Sequence, residues 1–311
     1  MCKVTISAFQ MIHRFPDQES ARLYIEKCRW NGMPVCPKCN LAEKQYPQNR
    51  KGRPGFYECR CCGLVYTVRT GTIFERSHIP LNKWIFAIYL VVTARKGISS
   101  MQLSKELGIG QKAAWFLLQR IRKACEDDNG GNGFLQGIVE IDEAYLGGLE
   151  ANRHESKKKK AGRGPNGKEV ALGMKERDGK VAIKHLPSSK GEHIRPEIEK
   201  TIAKGSTLCT DEAPVYEALQ SQYDHKTVNH SAKQYVDGMA HTNSIESVWA
   251  VLKRAFYGVF HSFSAKHMQL YLNEVCFRFN SGNVKIHTLE RLDSLLGMCF
   301  GKRLTWADCI A

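Results

Sequence analysis

The spacing of apolar and polar positions changes several times along this chain, and each change marks a region. Residues 1–30 carry scattered apolar positions (Phe9, Met11, Phe15, Leu23, Tyr24, Ile25, Trp30), and Asp17 or Ser20 can cap a short helix ending near Cys28. Short strand-like runs occupy 56–58 and 64–68 on either side of a cysteine cluster. Between 80 and 125 the period is helical. Residues 84–94 form an apolar helix. Ser99 or Ser100 opens a second helix with Leu103 and Leu107 inward, and the stretch from Gly108 to Gly110 breaks it. Residues 111–124 form a third, with Ala114, Leu117, Leu118 and Ile121 inward and Gln111, Lys112, Gln119, Arg120, Arg122 and Lys123 expected outward. Residues 127–133 read as a polar, glycine-rich linker.

From Phe134 the texture becomes strands alternating with helices. Residues 137–142 are an apolar strand ending in an acid, and 206–211 repeat that pattern. Between them, 170–174 and 181–183 read as a hairpin turning at Asp178 and Gly179, and 192–204 as a helix stopped by Gly205. Residues 154–168, rich in lysine and glycine without an apolar anchor, are expected to form a mobile loop. Residues 213–219 read as helical and 226–230 as a short strand. In the next helix Ile245, Val248, Trp249, Leu252 and Phe256 recur as one inward stripe. Asn243, Glu246 and Lys253 share a neighbouring face, Glu246 and Lys253 being two turns apart. Two later apolar segments, 271–279 and 289–300, are helical in period, and no internal repeat is found.

Composition narrows the class. A hydrophobic content of 42% belongs to a globular chain rather than a disordered one. No run approaches the ~18 apolar residues of a membrane span, and no basic-then-apolar leader opens the chain, so a cytoplasmic protein is expected. Lys and Arg number 46 against 31 Asp and Glu, a net charge of +15. That excess points to a polyanionic partner, because basic side chains displace the counterions of nucleic-acid phosphates.

The twelve cysteines do not form a disulfide framework. Cys36 and Cys39 make one C-x-x-C pair, and Cys59 and Cys62 make another after a gap of nineteen residues. Four thiolates at this spacing bind one tetrahedral zinc and leave no position open for chemistry, so the expected role is structural, with Cys61 outside the set. Lys38, Lys44, Arg50, Lys51, Arg53 and Arg60 surround the motif and suit DNA contact. A short helix, a glycine turn and a basic second helix match the helix-turn-helix pattern. They make Gln111, Lys112, Gln119, Arg120 and Lys123 the candidate DNA readers. The run Lys157, Lys158, Lys159 and Lys160 is either a solvated charge cluster or a DNA clamp.

The element order after residue 134 is that of a ribonuclease H-like α/β fold: three antiparallel strands, a helix, a strand ending in an acid, a strand, and a helix carrying an acid. Asp142 ends the first strand, Asp211 ends the fourth, and Glu246 follows 35 positions later. Three converging carboxylates cannot all stay ionised without cations. Hard divalent ions, two of magnesium or manganese, answer that need and suit in-line phosphoryl displacement. Glu140, Glu143 and Glu212 are further acids at the same strand ends, each a candidate for sharing the site by strand alternation alone. His241 and His261 flank the acid-bearing helix as caps or solvated residues, and Trp249 reads as core.

The specific marks are Ile141, Asp142 and Glu143 followed by Gly147 and Gly148; Thr210, Asp211 and Glu212; the block 241–249 with Leu252, Lys253 and Arg254; and 271–274 with 277–280. In these the chain resembles bacterial insertion-sequence transposases of the aspartate–aspartate–glutamate class, in the group related to the eukaryotic Merlin elements. The resemblance covers nearly the whole chain. It implies Asp142 and Asp211 as metal ligands and a third ligand in the block that holds both Asn243 and Glu246. Glu246 is preferred, because a carboxylate neutralises a divalent ion and an amide does not, while Asn243 lines the same site. Lys253 is expected to touch a phosphate near the reacting end, with Arg254 also on DNA.

The implied activity is binding of the element's terminal inverted repeats, DNA cleavage, and joining of the 3′-hydroxyl to target DNA. The expected partner is double-stranded DNA, bound by a homodimer or larger assembly, with nucleoid association when bound. A nuclease or resolvase of the same fold, and a DNA-binding regulator, remain alternatives. The expected domains are helix and zinc ribbon (1–75), helix-turn-helix (76–128), catalytic domain (134–285) and helical tail (286–311).

Overall fold

The computed structural model describes residues 5–50, 52–126, 134–148, 154, 156, 167–211, 214–227 and 242–311. The 127–133 linker, the run Lys157 to Lys160 with most of the expected loop around it, Glu212, His241 and the last part of the expected 226–230 strand lie outside them. The chain forms two compact units, Met1–Cys125 with Ser281–Ala311, and Glu126–Asn280. Among the described residues no helix is long and apolar enough to cross a membrane.

The first unit opens with α1 (Ala8–Arg14), started by a Ser7–Gln10 capping box, and α2 (Gln18–Trp30). Asp17 caps α2 by accepting the Ser20 N–H at 2.8 Å, as its position in the sequence suggests. An antiparallel sheet of β1 (Gln45–Arg50), β2 (Arg53–Cys59) and β3 (Val65–Thr67) follows. Trp30 packs edge-on against Tyr57 and Tyr66 of that sheet. Next come α3 (Leu81–Thr93), α4 (Ser100–Leu107) and α5 (Gln111–Ala124). Ser99 caps α4, and Gly108 ends it in the left-handed region at φ +57°, where glycine is free of strain.

The C-terminal residues complete this unit instead of forming a tail of their own. Helix Thr288–Met298 packs on α3, and its buried Arg291 donates to the Val92 carbonyl at 2.6 Å. This return corrects the reading of α5. Gln119 (0% exposed), Arg120 (7%) and Arg122 (2%) are buried, not outward. Arg120 donates to the carbonyls of Leu304, Ile73 and Glu75, each at 3.1 Å. Chain from both ends of the unit therefore covers a second side of α5. The guanidinium is buried because backbone acceptors satisfy it there. Gln111 and Lys112 remain exposed and Lys123 half-buried.

The second unit is a five-stranded sheet in the order β6-β5-β4-β7-β8, comprising β4 (Ile138–Leu146), β5 (Glu169–Glu176), β6 (Val181–Leu186), β7 (Thr207–Thr210) and β8 (Asp224–Thr227). The pairs of β6, β5 and β4 are antiparallel, and β4, β7 and β8 run parallel. The β5–β6 turn has Asp178 left-handed at φ +56°. Helix α6 (Gly191–Thr201) and a 3₁₀ helix (Pro214–Leu219) cover one face, packing Ile194, Ile198 and Tyr216 on Val139, Ile141 and Leu172. Helices α7 (Asn243–Ala255) and α8 (Ala265–Phe279) cover the other, packing Ile245, Val248, Trp249 and Leu272 on Ala144, Ala171 and Ile183. Strand alternation therefore sends Glu140 and Asp142 towards α7, and Glu143 towards the opposite face.

Asp142 does not end its strand. β4 runs on to Leu146, because its second half keeps its pairing with β5 after β7 has stopped. The free edge of β6 is covered by side-chain amides. Asn280 accepts from the Val181 N–H and donates to the Val181 carbonyl, both at 2.9 Å. Gln269 does the same with the His185 N–H (2.8 Å) and the Ile183 carbonyl (3.2 Å). Two amides thus occupy backbone groups that another strand could otherwise use.

Candidate active site and zinc centre

The two cysteine knuckles are copies of one turn. The Cys36 N–H donates to Leu41 O and the Asn40 N–H to Cys36 O; the Cys59 N–H donates to Leu64 O and the Gly63 N–H to Cys59 O. Asn40 and Gly63, at equivalent places, are both left-handed. The turns bring the sulfurs of Cys36, Cys39, Cys59 and Cys62 within 4.8 Å of one another. Sγ–Sγ separations are 3.6 Å for Cys36–Cys62 and 3.5 Å for Cys39–Cys59. Tetrahedral zinc with bonds of about 2.3 Å puts its sulfurs about 3.8 Å apart, so the donor set and its size fit zinc. Gln45 donates to the Cys59 sulfur at 3.4 Å and is held by Tyr66. Cys61 is exposed and outside the cluster.

The acids gather at the end of β7. The last parallel pair is Glu140 with Cys209, Asp142 and Asp211 each lie two residues beyond it, and the Asp211 charge reaches Asp142. The Asp142 carboxylate accepts the Trp249 indole N–H on Oδ2 and the Glu143 backbone N–H on Oδ1, each at 2.9 Å. Burial pushes the Asp142 carboxyl above the usual carboxylate range, and the charges of Asp211 and Glu246 push the same way. The two hydrogen bonds oppose that rise. Asp142 thus lies within electrostatic reach of both other acids. Hard carboxylate oxygens near one another, such as those whose charges reach Asp142, suit magnesium or manganese.

The remaining candidates sort by face. Asn243, Glu246, Lys253 and Arg254 are all on the exposed side of α7. Glu140 is fully buried and already engaged. Its Oε2 accepts the Ser244 and Ile245 N–H groups at 2.8 and 3.1 Å, and its Oε1 pairs with Arg177 at 3.2 Å. It caps α7 from the neighbouring sheet, where Thr242 makes no capping bond of its own. Glu143 points to the other face and accepts from Tyr216. Burial, with the charges of Asp211 and Asp142, pushes its carboxyl up to about 7. His261 is exposed and left-handed at φ +58°.

Reading by period missed the hydrogen-bonding role of Trp249 and the work of Glu140, Arg177 and Gly173. One signal was available. A glycine inside a strand marks close approach, and Gly173 sits opposite Asp142 on β5.

Residues 134–280 match the family of ISXO2-like transposase domains. Residues 16–65 match the transposase zinc-ribbon domain and include all four clustered cysteines. The chain is also 26% identical over 255 residues to an uncharacterized protein in transposable element ISH50 of Halobacterium salinarum, covering 78% of this chain and 84% of that protein. It is 28% identical over 107 residues to an uncharacterized transposase-like protein of Haemophilus influenzae, covering 34% of this chain and 85% of that protein. The transposase domain corresponds to the second unit, and Asp142, Asp211, Asn243, Glu246 and Lys253 all fall within it.

Proposed function

We propose that this chain is a divalent-metal-dependent DNA transposase of the aspartate–aspartate–glutamate class, in the Merlin-related group, with a ribonuclease H-like catalytic domain. It binds the terminal inverted repeats of its element, cuts DNA there and joins the freed 3′-hydroxyl to target DNA. The observation that carries this reading is that Asp142 lies within electrostatic reach of both Asp211 and Glu246, beside the parallel β4–β7 pairing and inside a match to a transposase domain.

Asp142, Asp211 and Glu246 would hold two magnesium or manganese ions, which when bound activate a water or 3′-hydroxyl and offset charge on the leaving oxygen. Every other part of the chemistry rests on positioning. The Trp249 and Glu143 N–H groups orient the Asp142 carboxylate, leaving lone pairs on each oxygen. Glu140 fixes the first turn of α7, which carries Asn243 and Glu246. Asn243 lines the site one turn before Glu246. Lys253, two turns beyond Glu246 on the same exposed face, holds a phosphate near the reacting end, with Arg254 beside it.

Recognition of the ends falls to α4 and α5 as a helix-turn-helix. The exposed start of α5, Gln111 and Lys112, enters the groove, with Lys123 on a phosphate. Lys157, Lys158, Lys159 and Lys160 add a basic clamp on DNA. A homodimer or larger assembly pairs two ends on the nucleoid. The test is incubation of the purified full chain with labelled element ends, with and without magnesium. Cation-dependent nicking at the 3′ ends followed by a joined product is expected. Nicking without joining would make the protein a nuclease, and cleavage indifferent to cations would end the reading.

A further inference from the structure

Trp249 belongs to the apolar stripe of α7, yet its polar edge is turned on the acid site. Its ring is 4% exposed, packed among Ile245, Val248 and Leu252, and its Nε1–H donates to Asp142 Oδ2 at 2.9 Å. It can come that close because the strand beside Asp142 lacks a side chain. Gly173 pairs with Asp142 across β4 and β5. A Cβ built on Gly173 would lie 2.6 Å from Cη2 of Trp249 and 2.8 Å from Cδ1 of Ile245, closer than non-bonded carbons approach. The backbone of Gly173 is therefore the floor of a notch that the indole fills.

We propose that Trp249 is a positioning residue for the Asp142 carboxylate, seated by the Gly173 notch, and that the pair sets the affinity of the site for its divalent cation. The inference rests on the reading of Asp142 as a metal ligand. Its physical basis is orientation. A carboxylate on one rotatable side chain can turn away from a cation. Here one oxygen is tied to the backbone of its own strand and the other to an indole fixed by a packed helix. Partners of this kind, hydrogen-bonded to a ligand rather than to the metal, carry about 10- to 100-fold in metal affinity or activity.

The experiment uses the full chain and two readouts. In ¹⁵N-labelled protein five indole N–H resonances are available, one per tryptophan, and the one absent from Trp249→Phe belongs to Trp249. Magnesium titration should shift that resonance in the wild type and leave it unmoved in Asp142→Asn. In cleavage assays Trp249→Phe should raise the magnesium concentration for half-maximal rate by about tenfold or more, with much of the maximal rate recovered at high magnesium. Gly173→Ala should act in the same direction, and adding it to Trp249→Phe should cost less than adding it to the wild type, because the smaller ring relieves the clash. A half-saturation within about twofold of wild type in Trp249→Phe, or an indole resonance indifferent to magnesium in a protein that Asp142→Asn inactivates, would overturn the inference. Full cleavage by Asp142→Asn would instead remove the metal-site reading beneath it.

Discussion

Glu140 and Asp142 are two residues apart on one strand and point the same way, yet they do different things. The difference lies in their partners. Glu140 has no exposed surface and its oxygens are taken by two helix-terminal N–H groups and Arg177. Asp142 is half-buried, accepts one hydrogen bond on each oxygen, and lies within reach of the charges of Asp211 and Glu246. Sequence could place both acids on a β-strand, but which of them was engaged depended on Ser244, Ile245 and Arg177, far away in the chain. Trp249 was legible as core for a similar reason: period reports where a ring is buried and not where its N–H points. Removing one partner of a buried pair costs about 3–5 kcal/mol. Glu140→Gln should thus destabilise the transposase domain by a few kcal/mol and slow cleavage, by loosening the turn that carries Glu246. Urea unfolding of the variant is the check, and an unchanged midpoint would contradict the assigned role.

Among the elements, the zinc knuckles were the most legible, because both ligand spacing and turn geometry are local. Cys36→Ser should release about one zinc per chain and disorder the ribbon while the transposase domain stays folded. Elemental analysis and limited proteolysis report the two effects, and zinc-free wild-type protein would refute the assignment. Helix α5 was half legible. Its inward stripe was correct, with Ala114, Leu117, Leu118 and Ile121 buried, but a helical period sees one buried side and α5 has two. The second is made by Ile73, Glu75 and Leu304, contacts too distant in sequence for any local pattern. The proposed DNA-reading face therefore narrows to the exposed start of the helix, Gln111 and Lys112. Lys112→Ala should weaken binding to element ends and lower the salt slope by about 1 for a lost phosphate contact. Arg120→Ala should instead unfold the first unit at lower denaturant. Salt-dependent binding and urea titration on both variants separate these roles. Unchanged binding by Lys112→Ala at every salt concentration would exclude α5 as the reader.

At the scale of the whole molecule, the charge excess of 46 Lys and Arg over 31 Asp and Glu stands against a small set of acids collected at one place. A basic chain suits a phosphate backbone, and in the proposed function the acids are where cations and chemistry belong. The alternation of strands and helices made the mixed sheet readable. The return of residues 281–311 to the first unit was not readable, since it depends on packing across nearly the full chain length. The central claim is that Asp142, Asp211 and Glu246 together make a metal-dependent cutting and joining site. The direct measurement is cleavage and joining of labelled element ends by single variants whose DNA binding is shown to be intact. Asp142→Ala and Asp211→Ala should abolish both steps. Glu246→Gln should cost on the order of 10³-fold and be partly restored by manganese, while Asn243→Ala costs on the order of tenfold. If Glu246→Gln cleaves normally while Asn243→Ala is as inactive as Asp142→Ala, the third ligand is the amide and the account of the site is wrong.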